Sequence, residues 1–287
     1  MRLVTFEDGA GTRWGALAGD GVVDAADVEP RLPSSLIEAL AAGPDGLAPL
    51  GRAAGAARGR RPVSEVRLRA PIPAPGKIVC VGLNYREHAA ESGADVPGAP
   101  TIFAKYANAV AGPGDAIALP PESDQVDYEG ELGVVIGRVA RRVPAAEALS
   151  CVAGYVPFND VSARDWQHRT SQWTLGKSFD GFAPMGPALV TADEVPDPQA
   201  LSLEVRVGGE VLQSASTSDM IFPVAEIIAE VSSVMTLLPG DVIATGTPSG
   251  VGAARTPPRF LRPGDVVEVD ISSLGVLRNP VVAERRA

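Results

Sequence analysis

The sequence predicts an α+β protein that is mainly β, and three observations carry that prediction. Apolar runs of strand length recur between turn signals from residue 100 onward: LGVVIG, GPALVT, LSLEVRV, DVIATG, DVVEVDI and LGVLRNPVV. A single long segment, residues 222–237 (FPVAEIIAEVSSVMTL), repeats its apolar positions at three and four and reads as a helix. The segment 69–76, RAPIPAPG, carries three prolines and suits neither a helix nor a central strand, so it divides the chain near residue 70. The expected units are a small N-terminal α+β domain, 1–70, and a catalytic domain, 71–287.

Taken in order, residues 1 to about 30 alternate apolar and polar positions around Asp8-Gly9 and Gly19-Asp20-Gly21, a pattern of short hairpins. Pro33-Ser34-Ser35 offers an N-cap to LIEALAAG, a short helix ended by Gly43. Residues 44–61, rich in Ala, Gly and Arg, read as a weak helix or a loop. KIVCVGLNY is an apolar strand, Arg86–Glu91 one or two helical turns, and 92–100 a Gly- and Pro-rich loop of lid type. The strings LLPGDVIATG and LRPGDVVEVD share only ordinary turn chemistry and are no repeat.

Composition bounds the partners. A 45% hydrophobic, 21% charged chain of 287 residues is globular. Its formal charge of −10 argues against nucleic acid or an anionic membrane as partner, since both need a basic surface. No apolar run approaches the ~18 residues of a membrane helix, and MRLVTFEDGAG lacks the layout of a signal peptide, so a cytoplasmic protein is expected. Cys80 and Cys151 lie in apolar surroundings and read as buried free thiols.

Chemistry concentrates in a few strings. In VDYEGELGVVIG, Glu129 and Glu131 stand two apart at the head of an apolar strand, so their side chains share a face. Two like charges there are either solvated acids of an edge strand or ligands that need a cation between them. Asp160, at the end of the apolar segment GYVPFND, supplies a third carboxylate. Three carboxylates suit a hard ion, Mg²⁺, Mn²⁺ or Ca²⁺, and leave positions for water and substrate. The only histidines, His88 and His168, form no zinc-like cluster with cysteine.

His88 and Glu91 are three apart and share a face if helical; the pair is either a surface accident or an oriented general base. Lys177, in TLGKSFDGFAPMGP, is either a surface lysine or a cation facing an anionic substrate. The segment ATGTPSGVG from Ala244 lets backbone amides and Thr247 approach a ligand, yet it lacks the ending of a nucleotide loop.

At these residues the chain resembles the fumarylacetoacetate hydrolase family over roughly 70–285, its strings in family order: GLNYREHAAE, VDYEGELGVVIG, NDVSARDWQ, GKSFDGFAPMGP, GDVIATGTPSGVG and PGDVVEVDISSLGVLRNPVV. The resemblance implies a mixed, mainly β sandwich roll, usually a homodimer, with Mg²⁺ or Mn²⁺ on Glu129, Glu131 and Asp160. It implies a water-activating dyad, His88 with Glu91, on a lid, and Lys177 facing the substrate. Arg164, Gln167, Thr247 and Tyr85 match substrate-contacting positions. The family's frequent Lys-Pro is here Lys105-Tyr106, and Lys105 receives no role. Residues 1–70 resemble the family's variable N-terminal domain.

Members act on small 2-oxo or diketo acids, and each must stabilise an enolate beside a carboxylate. The leading expectation is hydrolysis of a carbon–carbon bond in an acylpyruvate-type acid, with water deprotonated by His88. The alternative keeps the metal as electron sink for an oxaloacetate-type decarboxylase or a tautomerase or isomerase of the 2-hydroxyhepta-2,4-diene-1,7-dioate type. A third reading is a non-catalytic metal-binding protein on the same fold.

Overall fold

The computed structural model describes residues 1–9, 11–56 and 60–284. Strands dominate, as the recurrent apolar runs predict. Among the described residues the largest sheet has eleven strands. Its central path runs from Arg2–Glu7 through Leu189–Thr191, Val152–Asn159, Gly130–Ile136, Val242–Ala244 and Ile78–Gly82 to the edge strand Thr101–Lys105. These pairings are antiparallel except that of Val242–Ala244 with Ile78–Gly82.

A second, five-stranded sheet is ordered Glu210–Ser216, Ser202–Val207, Val266–Ile271, Gly275–Ala283 and Ile117–Leu119. It packs on the first where Gly130 has no side chain: a Cβ there would lie 2.2 Å from Val205. Leu203, Val205 and Val269, buried on the second sheet, join Leu132, Val134, Val156 and Phe158 of the first in one apolar core. Alternating burial in Ser202–Val207 and Val266–Ile271 marks sheets with one wet face, whereas every residue of Gly130–Ile136 is buried.

Helices are short. The 222–237 pattern yields Val224–Val234: Pro223 precedes it with a fixed φ of −60°, and Met235 turns extended. Ser35 caps Leu36–Ala41 by accepting from Glu38 N, the N-cap expected of Pro33-Ser34-Ser35. The open reading of 44–61 resolves into a helix, Pro44–Gly55, and a strand, Arg60–Pro62, while 57–59 lie outside the described residues.

Around residue 70 the chain is irregular but packed. Ala70 and Ile72 are fully buried, and Thr5 donates to Pro71 O at 2.8 Å. Arg67–Arg69 pairs with Arg2–Glu7, which pairs in turn with Leu189–Thr191, so the N-terminal strands extend the large sheet. Cys80 and Cys151 are buried free thiols. Among the described residues no helix is long and apolar enough to cross a membrane.

Candidate active site

Antiparallel register brings the carboxylates together. Gly130 pairs with Asn159, and one step beyond, Asp160 N donates to Glu129 O at 2.8 Å. Glu129 and Asp160 therefore face each other across the strand ends, and Glu131 falls on the same side as Glu129. Carboxylate oxygens of all three lie within 4.8 Å of one another, in the interior.

Such a cluster demands positive charge. Lys177 Nζ stands 2.6 Å from Glu129 and 2.8 Å from Asp160, and Arg164 Nη1 is 2.6 Å from Glu129. Lys105, fully buried, reaches Asp160 at 2.5 Å and donates to Val161 O. Glu131 is different: it accepts from Gly246 N at 2.8 Å, and among the described residues it forms no ion pair.

The two glutamates are driven apart accordingly. Burial raises both, but at Glu129 the charges of Arg164 and Lys177 outweigh it and hold the carboxyl below its ordinary range. At Glu131, burial and the neighbouring Asp160 and Glu129 push it well above. A hard divalent cation fits this donor set, all oxygen, with one buried carboxylate lacking a positive partner. Glu129, Glu131 and Asp160 would hold it, and it would act as a Lewis acid toward substrate oxygens.

Helix Arg86–Glu91 supplies the second group. His88 Nδ1 lies 2.7 Å from Glu91 Oε1, the i,i+3 spacing of one helical face. Glu91 Oε2 accepts from Gly250 N at 2.9 Å. Gly250 has φ +102°, and a Cβ there would sit 2.1 Å from Leu212 O, so only glycine brings this N–H to the carboxylate. With Nδ1–H donated to Glu91, the Nε2 lone pair of His88 is free to take a proton.

A cavity of about 440 Å³ joins the two groups. It is lined by His88, Glu91, Glu129, Glu131, Arg164, Gln167, Lys177 and Thr247. Asp160 lies behind this wall with no exposed surface, in contact with Lys177. Thr247 keeps its hydroxyl bonded inside the protein, donating to Gly130 O and accepting from Gln213 Nε2. Tyr85, buried, lines a separate cavity of about 360 Å³ with Arg86 and Asp219. Its hydroxyl is buried without a hydrogen-bond partner, and after burial itself the charge of Glu131 is what raises its pKa most.

Sequence reasoning gave no role to two buried polar residues that back this wall. Lys105 ends the strand TIFAK, where nothing in the local pattern distinguishes it from a surface lysine. Gln213 accepts from Gly130 N and donates to Thr247 Oγ1 and Pro248 O, clamping two motif segments, yet it reads as one more polar residue of a strand.

A family model, fumarylacetoacetate (FAA) hydrolase C-terminal, matches residues 77–282. The chain belongs to the fumarylacetoacetate hydrolase family. Bovine oxaloacetate tautomerase FAHD2A, mitochondrial, is 48% identical over 98% of this chain and 92% of that protein. Fumarylacetoacetate hydrolase from Exiguobacterium antarcticum superposes with a TM-score of 0.86 at 39% identity, over 99% of this chain and all of that one. Maleylpyruvate hydrolase from Sphingobium sp. SYK-6, in a structure with manganese(II) ion and pyruvate, gives 0.81 at 32% identity and the same coverage. The family establishes an enzyme, and its divalent-metal chemistry agrees with the carboxylate triad built here.

Proposed function

We propose that the chain is a Mg²⁺- or Mn²⁺-dependent tautomerase of a small 2-oxo dicarboxylic acid of the oxaloacetate type. One observation carries the reading: two carboxylates of a buried triad fit for a Lewis-acidic cation, Glu129 and Glu131, and an oriented His–Glu dyad line one cavity, with Asp160 directly behind. Identity of 48% to an oxaloacetate tautomerase along nearly the whole chain supports the choice of substrate.

Glu129, Glu131 and Asp160 would hold the cation, which would withdraw electrons from the 2-oxo group. His88 Nε2 removes a proton from C-3, and the electron pair of that C–H bond becomes the C-2=C-3 double bond as the carbonyl pair moves onto oxygen. The enol oxygen then takes its proton from solvent and the imidazolium gives its own back to solvent; in the reverse direction the enol loses its O–H proton to solvent and the imidazolium protonates C-3. Glu91 fixes the tautomer and steadies the imidazolium. Lys177 stabilises negative charge growing on oxygen. Arg164 offers Nη2, buried and without a hydrogen-bond partner, to the distal carboxylate.

The dyad also supports a second reading, hydrolysis of an acylpyruvate, in which His88 deprotonates a water that adds to the distal carbonyl. A panel of oxaloacetate and acylpyruvates, supplied with Mg²⁺ or Mn²⁺, separates the two. Loss of enol absorbance without release of pyruvate or carbon dioxide supports tautomerisation, and stoichiometric pyruvate from an acylpyruvate supports hydrolysis. Replacing His88 with Ala is expected to abolish turnover while Mn²⁺ still binds; undiminished turnover refutes the base.

A further inference from the structure

Asp127 belongs to the same motif as the triad but points elsewhere. It is fully buried, and it accepts four hydrogen bonds. Oδ1 takes Tyr128 N at 2.9 Å and Gly252 N at 2.8 Å; Oδ2 takes Arg164 Nε at 2.9 Å and Ala253 N at 3.0 Å. Every partner is a donor, which only an ionised carboxylate satisfies on all sides. The approach of the 250–254 segment is close: a Cβ on Gly252 would lie 2.5 Å from Asp127 Oδ1 and 2.1 Å from Arg259 O.

The other side of Arg164 is fixed as well. Nη1 donates to Gln167 Oε1 at 2.9 Å and pairs with Glu129, so Nε and Nη1 are both committed and Nη2 alone is left for a ligand. The segment that Asp127 holds through Gly252 and Ala253 also carries Gly250, whose N–H holds Glu91.

We infer that Asp127 is a positioning residue for carboxylate recognition: it aligns the Arg164 guanidinium and ties that alignment to the segment that orients the His88–Glu91 dyad. It touches neither substrate nor metal. The inference rests on the proposed function in taking Arg164 as the group that meets the substrate's distal carboxylate. A neutral amide at 127 must set its NH₂ against two N–H donors, so one side of the clamp opens.

The test uses the Mn²⁺-loaded protein and malonate, a dicarboxylate with no 2-oxo group, with binding followed by calorimetry. In D127N the malonate Kd is expected to rise about tenfold, and the KM for oxaloacetate likewise, while the Mn²⁺ affinity stays within about threefold. R164K should weaken malonate comparably, and D127N should add nothing to R164K, because residues acting as one unit are non-additive. Should D127N not fold, A253P removes one donor from the exposed end of the clamp and is expected to weaken malonate about threefold. Unchanged malonate affinity in the folded variant, or strict additivity with R164K, overturns the inference. Weakened malonate binding in a protein whose wild type leaves oxaloacetate untouched sinks the proposed function and supports Asp127.

Discussion

Glu91→Gln tests the dyad most sharply, because the structure gives Glu91 two donors and no spare oxygen. Oε1 faces His88 Nδ1 at 2.7 Å and Oε2 takes the Gly250 N–H at 2.9 Å. Glutamine keeps the shape but has one oxygen. If that oxygen stays on Gly250, the new NH₂ points at Nδ1, which must then become an acceptor, and the imidazole proton moves to Nε2, on the side that has to take the substrate proton. If the oxygen stays on His88, the NH₂ meets the Gly250 N–H, and the segment that glycine geometry holds there is pushed away. Either way the base is lost or misplaced. General base catalysis of this kind contributes roughly 10²–10⁴ in rate, about 2.7–5.5 kcal/mol of barrier. The analogous Asp-to-Asn change in a serine-protease triad costs about 10⁴ in kcat through the wrong tautomer. E91Q is therefore expected to lower kcat at least about 100-fold, with Mn²⁺ affinity unchanged because Glu91 belongs to no part of the triad. Stopped-flow decay of the oxaloacetate enol with Mn²⁺ saturating measures kcat, and calorimetry measures the ion. A kcat within about threefold of wild type would refute the assignment of Glu91 as the group that orients His88.

Three further outcomes follow from the charges of the triad. K105M leaves Asp160 short of one of its two lysines in the fully buried interior; the metal-free protein should lose about 3 kcal/mol, the lower end for breaking one side of a buried ion pair, and urea unfolding should show the loss shrinking when Mn²⁺ is added. A loss below about 1 kcal/mol would mean that Lys105 is not charged there. Glu131, raised by burial and by Asp160 and Glu129, keeps a proton in the metal-free fold that the unfolded chain gives up near pH 4.3. Its stabilisation is then fully present below that pH and lost as pH rises toward the folded value, so metal-free wild type should weaken with rising pH across this window while E131Q stays flatter; parallel curves in thermal unfolding would count against it. Mn²⁺ binding should release that proton, seen as a buffer-dependent binding enthalpy that E131Q abolishes.

Much of the fold was legible because its signals are local. Period-two runs fixed the strands, Pro223 and Ser35 set helix starts, and Glu129, Glu131 and the His88–Glu91 pair followed from spacing of two on a strand and three on a helix. Lys105, Asp127 and Gln213 had no such signal, since each acts on a group at least 34 residues away, and the partner depends on which strands lie side by side. Tyr85 is buried with an unpartnered hydroxyl that feels the charge of Glu131, a relation that the fold sets and no local spacing announces.

By itself, then, the sequence determined that three carboxylates would stand at strand ends and that a histidine would carry a glutamate on its own helical face. Backbone periodicity is enough for that. Only the tertiary structure decided that Asp160 lies across from Glu129, that Lys177 spans them while Glu131 goes without a cation, and that Gly250 closes the dyad from 159 residues away. Those facts depend on sheet register and on glycines that let backbones approach within contact, and neither is encoded in any short stretch of chain.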